Sequence, residues 1–312
     1  MIKVGILGTN FGKFHAELYK KIEGYEIVSI YGRDKDKLKK IGDELNINTT
    51  SDINEIIKNS EIDLLDICLP TELHSKWAIE GIKNNKHIFC ETPLTYKVDE
   101  AEEIKSVSEK YNKNVFVNMF NKFSTPHLTA IKYAEEGYLG KLESIRSYNN
   151  TSPRWGDLGL QNNIKSFHIH NMDFVSEIIG VPENVKSNGI DFGGKSIVNS
   201  TFKVGNTFAI LESNSNMPDC YPFSIGFELV FKDGVIWYDA KYGDYANEQF
   251  IVFKNNKQAE IVKLEAKDEY EEVFKEVLYC LNKNIKSKML DINAAIKTVK
   301  IKNMILSSIM EK

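Results

Sequence analysis

The sequence predicts two architectures in succession: an α/β domain with a parallel sheet over residues 1–118, then an α+β domain with a large, mostly antiparallel open sheet over residues 119–312. Three observations carry this expectation. Short apolar runs rich in β-branched residues alternate with segments of helical period as far as residue 118. A glycine-containing turn follows the first of those runs. From 185 to 264, strand-like runs succeed one another with hairpin signals such as Val204-Gly205-Asn206 and Lys232-Asp233-Gly234 between them.

In order, 2–7 reads as the first strand, 8–12 as a glycine loop, 13–22 as a helix and 26–31 as the second strand. A charged helix covers 34–45, and the alternation is completed by strand 64–68, helix 72–84, strand 87–90, helix 98–111 and strand 114–117. Asp52 and Asn54 read as helix caps without a further role. After residue 118 the rhythm changes to a helix at 126–136, a strand at 142–148, a polar loop at 151–165 and a helix at 167–179. The strands of the antiparallel sheet follow, and two helices, 268–282 and 291–310, end the reading.

At 312 residues there is chain enough for about two domains. Lys and Arg total 40 against 44 Asp and Glu, a formal net charge of −4, with 42% hydrophobic and 27% charged residues. Phosphate neutralisation needs concentrated cations, so this balance argues against a nucleic-acid partner. No apolar stretch approaches the roughly 18 residues of a membrane span, and 1–7 reads as a strand rather than a signal peptide. Cys68, Cys90, Cys220 and Cys280 lie far apart without C-x-x-C or zinc-ligand spacing. They read as reduced packing residues, and the expectation is a cytoplasmic protein without a metal site.

Strand, then Gly8-Thr9-Asn10-Phe11-Gly12, then helix is the setting in which a glycine loop has chemical meaning: the backbone turns sharply and main-chain amides at the helix start face a pyrophosphate. Asn10 stands where the usual fingerprint has its middle glycine, and Gly12 comes one residue early. With the alternation behind it, the loop predicts a dinucleotide-binding Rossmann domain. The second strand ends in Tyr31-Gly32-Arg33-Asp34. Arg33 after a small residue suits a 2′-phosphate and favours NADP; Asp34 is either a helix N-cap or an acceptor for ribose hydroxyls, which leaves NAD as the alternative.

Two more segments fall at strand ends: Leu69-Pro70-Thr71-Glu72-Leu73-His74 and Glu91-Thr92-Pro93-Leu94. Together with His15 after the glycine loop, Lys86 to Leu94, Asn121-Lys122-Phe123, His170-x-x-Asp173 and the terminal helix opened by Asp291, they make nearly the whole chain resemble the Gfo/Idh/MocA oxidoreductases, the family of glucose-fructose oxidoreductase and inositol dehydrogenase. The resemblance implies a nicotinamide cofactor and a second domain whose open sheet makes homodimers or homotetramers. It also implies hydride transfer to or from a sugar-like or other small carbonyl or alcohol substrate. Leu69, Pro70, Thr71, His74, Glu91, Thr92 and Pro93 are the expected cofactor contacts beside the glycine loop, Gly32 and Arg33, with Glu91 and Pro93 shaping the turn beneath the nicotinamide. The family's Glu-Lys-Pro lysine is replaced by Thr92, whose hydroxyl brings no positive charge.

The family's histidine corresponds to His170 and the following acid to Asp173, three residues on and so on one helix face. His170 is the natural proton donor or acceptor, and Asp173 orients it or binds a substrate hydroxyl. Where the family has Asp-x-Gly upstream, this chain has Ser166-Phe167-His168; His168 is a candidate substrate contact that could share the acid–base role, set against the expectation that it points away from His170. Lys122 and Lys165 are the cations that could take the vacant lysine's place, each read alternatively as a solvated surface group. Arg154 can fork onto an anion and Trp155 can stack on a sugar face, or both can staple the loop. His15 reads as helix packing. Two rival activities stand beside the oxidoreductase: an epimerase or lyase that uses its NAD transiently, and a nucleotide- or sugar-binding regulatory protein without catalysis.

Overall fold

The apolar runs of the first third line up because each is buried on both faces, as strands of a parallel sheet covered by helices must be. In the computed structural model, which describes residues 1–310, six strands form a parallel sheet in the order β3-β2-β1-β4-β5-β6. They are β1 (Ile2–Leu7), β2 (Tyr25–Tyr31), β3 (Thr49–Thr50), β4 (Leu64–Ile67), β5 (His87–Cys90) and β6 (Val115–Val117). The connecting helices are α1 (Phe11–Lys21), α2 (Lys35–Leu45), α3 (Ile53–Ile57), α4 (His74–Lys83) and α5 (Val98–Lys110). Every residue of β4 and β6 is buried. The strand order reverses between β1 and β4, the place where ligands enter sheets of this type.

β3 and α3 fall in a stretch that shows no sequence period, being two and five residues long. Asp34 settles its two readings: its carboxylate accepts from the amides of Asp36 and Lys37, both at 3.0 Å, so it is the N-cap of α2.

The remaining elements are α6 (Thr125–Glu136), β7 (Leu142–Asn150), the single turn α7 (Leu160–Asn162), α8 (Ile169–Ile179), β8 (Val185–Asp191), β9 (Ser196–Val204), β10 (Thr207–Asn214), β11 (Phe223–Phe231), β12 (Gly234–Tyr242), β13 (Asn247–Lys254), β14 (Glu260–Ile261), α9 (Glu269–Lys283) and α10 (Ile292–Met310). The second sheet has eight strands in the order β14-β13-β12-β11-β7-β10-β9-β8. It is antiparallel except where β10 runs parallel to β7, from Phe208 opposite Ser144 to Asn214 opposite Asn150. The stretch expected as one polar loop at 151–165 contains α7 and a wide helical turn over Asn163–Phe167, closed by the His168 amide on the Asn163 carbonyl at 2.8 Å.

The chain divides into two compact units, Met1–Phe120 with Asp268–Val299, and Asn121–Lys267 with the residues from Lys300 on. The second half therefore returns α9 and the start of α10 to the first unit, where sequence reading kept 119–312 together. The reason lies in the aromatic core. Phe274 of α9 is fully buried and meets the rings of His15, Tyr19 and Phe89 at 5.0, 4.6 and 5.1 Å, and Tyr25 donates its hydroxyl to the Phe274 carbonyl at 2.7 Å. Asp268 caps α9 through the amides of Tyr270 and Glu271. Phe274→Ala leaves a cavity in that core and is expected to cost about 3–5 kcal/mol in urea unfolding; a loss below about 1 kcal/mol would mean that α9 is not part of the first unit's core.

Candidate functional site

Parallel strands end at one edge, so β1, β2, β4 and β5 deliver the glycine loop, Gly32-Arg33, Leu69–Thr71 and Glu91–Pro93 to the same side of the first sheet. Gly8 has φ +114°, and a Cβ there would lie 2.4 Å from the Cys68 carbonyl oxygen. Only glycine fits where β1 crosses the end of β4. Gly32 lies against the glycine turn, where a Cβ would come 2.4 Å from the Thr9 methyl and that side chain would have to shift. Position 32 carries no acidic side chain, and the Asp34 carboxylate accepts the amides of Asp36 and Lys37 at the start of α2. Arg33 is exposed beside them, Asn10 and Phe11 lie at the surface, and the side-chain amide oxygen of Asn10 accepts from Lys37 Nζ.

Beneath the Glu91 turn lies a buried polar chain. His15 Nδ1 sits 2.8 Å from Asp66 Oδ2 and 3.3 Å from Cys68 Sγ, while its Nε2 lies 2.9 Å from Glu91 Oε1, off the line of a straight hydrogen bond. Burial opposes charging of the ring, but the Cys68 sulfur and the Asp66 carboxylate outweigh it and raise the His15 pKa well above the usual histidine range. Glu91 is lowered, although burial would raise it, because His15, the Asn118 amide at 2.6 Å and the Thr92 N–H at 3.3 Å all stabilise its charge. His15 is thus more than helix packing. Its donor atoms and those of Asp66 and Cys68 fall within 4.8 Å of one another, but at separations of 2.8–3.4 Å they bond to each other rather than enclose a cation.

Thr92 precedes Pro93 through a cis peptide and turns its hydroxyl to Met119 Sδ at 3.4 Å. His74 places Nδ1 3.0 Å from the Pro93 carbonyl and Nε2 2.6 Å from the Leu69 carbonyl. Both ring nitrogens face main chain, so His74 positions the two loops rather than touching a cofactor. Burial lowers its pKa. Leu69 is half-buried, and the exposed Pro70 opens the short turn Thr71–Leu73 that leads into α4.

This edge fits a nicotinamide dinucleotide. The glycine turn leaves the first amides of α1 without helical partners, and Asn118, fully buried at the end of β6, gives its N–H to Glu91 while its Oδ1 has no partner. A flipped Asn118 would put oxygen against carboxylate, so the orphan acceptor is fixed in place.

In the second unit, Lys122 is neither solvated nor open. It is completely buried and its ammonium lies 3.1 Å from Asp173 Oδ1 and 3.2 Å from Glu177 Oε2. Asp173 is therefore engaged by Lys122, and Glu177, one turn further along α8, completes a buried triad. His170 is half-buried on the same helix. On α6, His127 bonds the Ser124 hydroxyl at 2.6 Å, and burial together with the charge of His170 pushes its pKa down to about 3.

His168 is completely buried, its nitrogens 2.6 and 3.2 Å from the hydroxyls of Ser213 and Ser200, and burial lowers its pKa to about 3. It belongs to a polar seam that docks α8 on the sheet rather than to a substrate site. Asn171 continues the seam, accepting from Ser147 and donating to the Glu212 carbonyl and to Asn149 at 2.8–3.1 Å. Arg154 spends its guanidinium on the Ser152 hydroxyl and the carbonyls of Asp219 and Tyr221, at 2.7, 3.1 and 3.2 Å. Trp155, 50% exposed, meets Phe223 and Phe167 edge-on at 4.6 and 5.8 Å. These contacts favour the stapling role over anion binding for Arg154, while half of the indole stays open. Lys165 is half-buried and reaches Gln161 Oε1 at 3.2 Å.

Sequence reading missed Asn118, Glu177, Asp66 and Lys37. Glu177 was detectable, since it repeats the 170/173 face one turn on; Asn118 and Asp66 acquire their roles only through long-range contacts.

Residues 2–119 match the model of the Gfo/Idh/MocA oxidoreductase family with its NAD-binding Rossmann fold. An uncharacterized oxidoreductase of Streptococcus pneumoniae is 27% identical over 235 residues, 69% of this chain and 63% of that protein. Myo-inositol 2-dehydrogenase of Thermotoga maritima is 25% identical over 147 residues, 46% of this chain and 44% of the enzyme. The aligned stretches thus span less than two thirds of these relatives. The crystal structure of UDP-N-acetylglucosamine 3-dehydrogenase from Acidithiobacillus ferrooxidans superposes with a TM-score of 0.86 at 16% identity, covering 99% of this chain and 98% of that one. The fold is shared over nearly the entire chain, and residues 2–119 carry an NAD-binding Rossmann fold.

The buried histidines of the second unit make its stability depend on pH. Between their folded pKa of about 3 and the ordinary 6.5, His127 and His168 take up protons only when unfolded. Each therefore removes about 1.4 kcal/mol per pH unit as pH falls below 6.5. His15 has the opposite sign, stabilising below the ordinary value and losing its contribution as pH rises through its raised folded pKa. His168→Gln is expected to flatten the acid limb of urea-unfolding free energy by about one proton between pH 6 and 4.5; an unchanged slope would contradict the assignment.

Proposed function

We propose that the whole chain belongs to the Gfo/Idh/MocA family and is an NAD(P)-dependent oxidoreductase that moves a hydride between nicotinamide and the carbonyl or alcohol carbon of a sugar-like small molecule. The observation that carries this is the crossing of Gly8 under Cys68 at the strand-order reversal of a 3-2-1-4-5-6 sheet, in the segment that matches the family. A bound nicotinamide supplies the hydride chemistry. The chain's own residues do the rest. The glycine turn and Leu69–Thr71 hold the dinucleotide, Glu91 and Asn118 orient its reactive end, and His170 gives or takes the proton at the substrate oxygen.

Lys122 enters as a positioning group. Clamped between two carboxylates, it holds Asp173, and thereby the turn of α8 that carries His170. With Thr92 where the family has lysine, no lysine amine stands there to take the proton of an alcohol, so reduction of an already polarised carbonyl is the favoured direction. The half-open Trp155 offers a face for a sugar ring.

Homo-oligomerisation through the second sheet belongs to the same reading. Its register aligns Phe208, Ser144, Val230, Val235 and Phe253 in one row across five strands, and Ile210, Arg146, Glu228, Trp237, Ile251 and Ile261 in the next. Phe208, Phe253 and Ile261 are 39%, 42% and 73% exposed. A sheet face of this extent, apolar but for Ser144, Arg146 and Glu228, is a surface for a second copy. No helix among the described residues is long and apolar enough to cross a membrane. The cytoplasmic location follows from the reading of the cysteines as reduced.

Two measurements test these statements. Purified protein mixed with NADPH or NADH and pools of keto-sugars and small carbonyl compounds should consume the reduced nicotinamide, and His170→Ala should slow turnover by about 10²–10⁴-fold without changing cofactor affinity. Tight cofactor binding with no consumption by any pool would favour the regulatory reading, and substrate conversion without net oxidation the epimerase or lyase. Sedimentation should give a dimer or tetramer that Trp237→Arg disrupts; a wild-type monomer at micromolar concentration would refute the oligomer.

A further inference from the structure

We propose that a cavity at the other edge of the first sheet, where its strands begin, is a second binding site and takes the phosphate ester of a small polyol. The cavity has a volume of about 440 Å³ and lies where β1, β4, β5 and β6 start, with Ser60, Asp63, Asn85, His87 and Lys113 in its lining. That volume is in the range of small-molecule sites and several times that of a phosphate group. Strand starts and strand ends are opposite edges of a parallel sheet, so an occupant here is neither the nucleotide nor the group that reacts with it.

Two hydrogen-bond donors in the cavity are left over. His87 Nδ1 accepts from the Asn114 amide at 3.0 Å, which puts the ring proton on Nε2, and that N–H has no partner among the described residues. Burial and the charge of Lys113 push the His87 pKa down to about 4, so the ring is a neutral donor at pH 7. Lys113 is half-buried, and its ammonium forms no hydrogen bond or ion pair among the described residues. Burial lowers its pKa, as expected of a charge that has lost water without gaining a close counterion. The helix ends nearby do not use that charge. The last carbonyls of α4 take the amides of Asn84, Asn85 and Lys86, and those of α5 take the amides of Tyr111, Asn112 and Lys113.

The other charges around the cavity are accounted for. Lys86 is buried with its ammonium on the carbonyls of Asn59 and Ile62, at 2.6 and 3.1 Å. Asp63, the one carboxylate of the lining, accepts the Lys3 amide at 2.9 Å. Two lysines therefore stand against a single acid, and the second of them is open. A phosphate dianion supplies the missing counter-charge and accepts from both Lys113 and the His87 Nε2–H, the first as a charge-assisted bond. The Ser60 hydroxyl and the Asn85 side-chain amide, both at the surface and neither bonded to another described residue, suit the hydroxyls of a polyol.

The test is titration calorimetry of the full chain with glycerol 3-phosphate and with inorganic phosphate, run with NADPH present so that the phosphate-binding turn at the other edge is filled. Wild type should bind one glycerol 3-phosphate with a Kd below about 1 mM, and inorganic phosphate more weakly. Lys113→Met should weaken the ester at least about tenfold, the scale of one hydrogen bond to a charged group, and leave NADPH binding unchanged. In nitrogen NMR spectra the His87 Nε2 signal should move as wild type fills and stay in place in Lys113→Met. No binding of the ester at about 10 mM, equal affinity of wild type and Lys113→Met for it, or inorganic phosphate bound as tightly as the ester would each overturn the inference. Failure of NADPH to bind would overturn the nucleotide reading alone, and the Lys113→Met contrast and the His87 signal would then decide the inference on the unliganded chain.

Discussion

Where β1 passes the end of β4, the carbonyl of Cys68 occupies the space that any side chain at position 8 would need. That contact sets the spacing of the two central strands at the point where their order reverses, and it turns the chain sharply enough for α1 to start with its amides facing outward. The consequences spread through the first unit. His15, one turn into α1, drops into the sheet to meet Asp66 and Glu91; Glu91 in turn fixes Asn118 and the Thr92 amide. A single backbone approach thus organises the polar interior beneath the edge, and the groups there are held by one another rather than by solvent.

The second unit is ordered by a different means. α8 lies on its sheet through serines, asparagines and a histidine instead of an apolar stripe alone. Each of these bonds contributes only about 1 kcal/mol net, but leaving one unmade in the interior costs more. A slide or rotation of the helix would break several together, so the seam specifies one register. The triad of Lys122, Asp173 and Glu177 adds to this: removing Lys122 would leave two buried carboxylates without the cation they share. Specificity of placement, more than strength, is what the arrangement supplies to the helix that carries His170.

Much of this was legible in the chain. The strands of the first sheet and their helices follow from runs of period two or continuous burial set against period 3.6, and Gly8 and Gly12 are visible because few residues can turn there. Asp34 offered a cap as one of two readings, and the amides of Asp36 and Lys37 decide it. What stayed hidden depends on partners distant in sequence. Nothing local to Lys122 reveals that its ammonium meets residues 51 and 55 positions away. The parallel pairing of β7 with β10 has no sequence signature, because register between strands that are not neighbours in the chain is decided by the whole sheet. β3, two residues long, is too short to show any period.

The return of Asp268–Val299 to the first unit carries a consequence for synthesis. As the chain emerges, the first 120 residues cannot close around Tyr19, Tyr25 and Phe89 until α9 arrives with Phe274. At roughly 5–20 residues per second the intervening segment takes on the order of ten seconds to translate, far longer than a small domain needs to fold. Throughout that interval an incomplete parallel sheet presents an uncovered aromatic face to the cell. The order of elements along the chain, rather than their geometry in the finished protein, makes the unit begun first wait for almost the whole of translation, and it is the one most in need of protection while the ribosome is still at work.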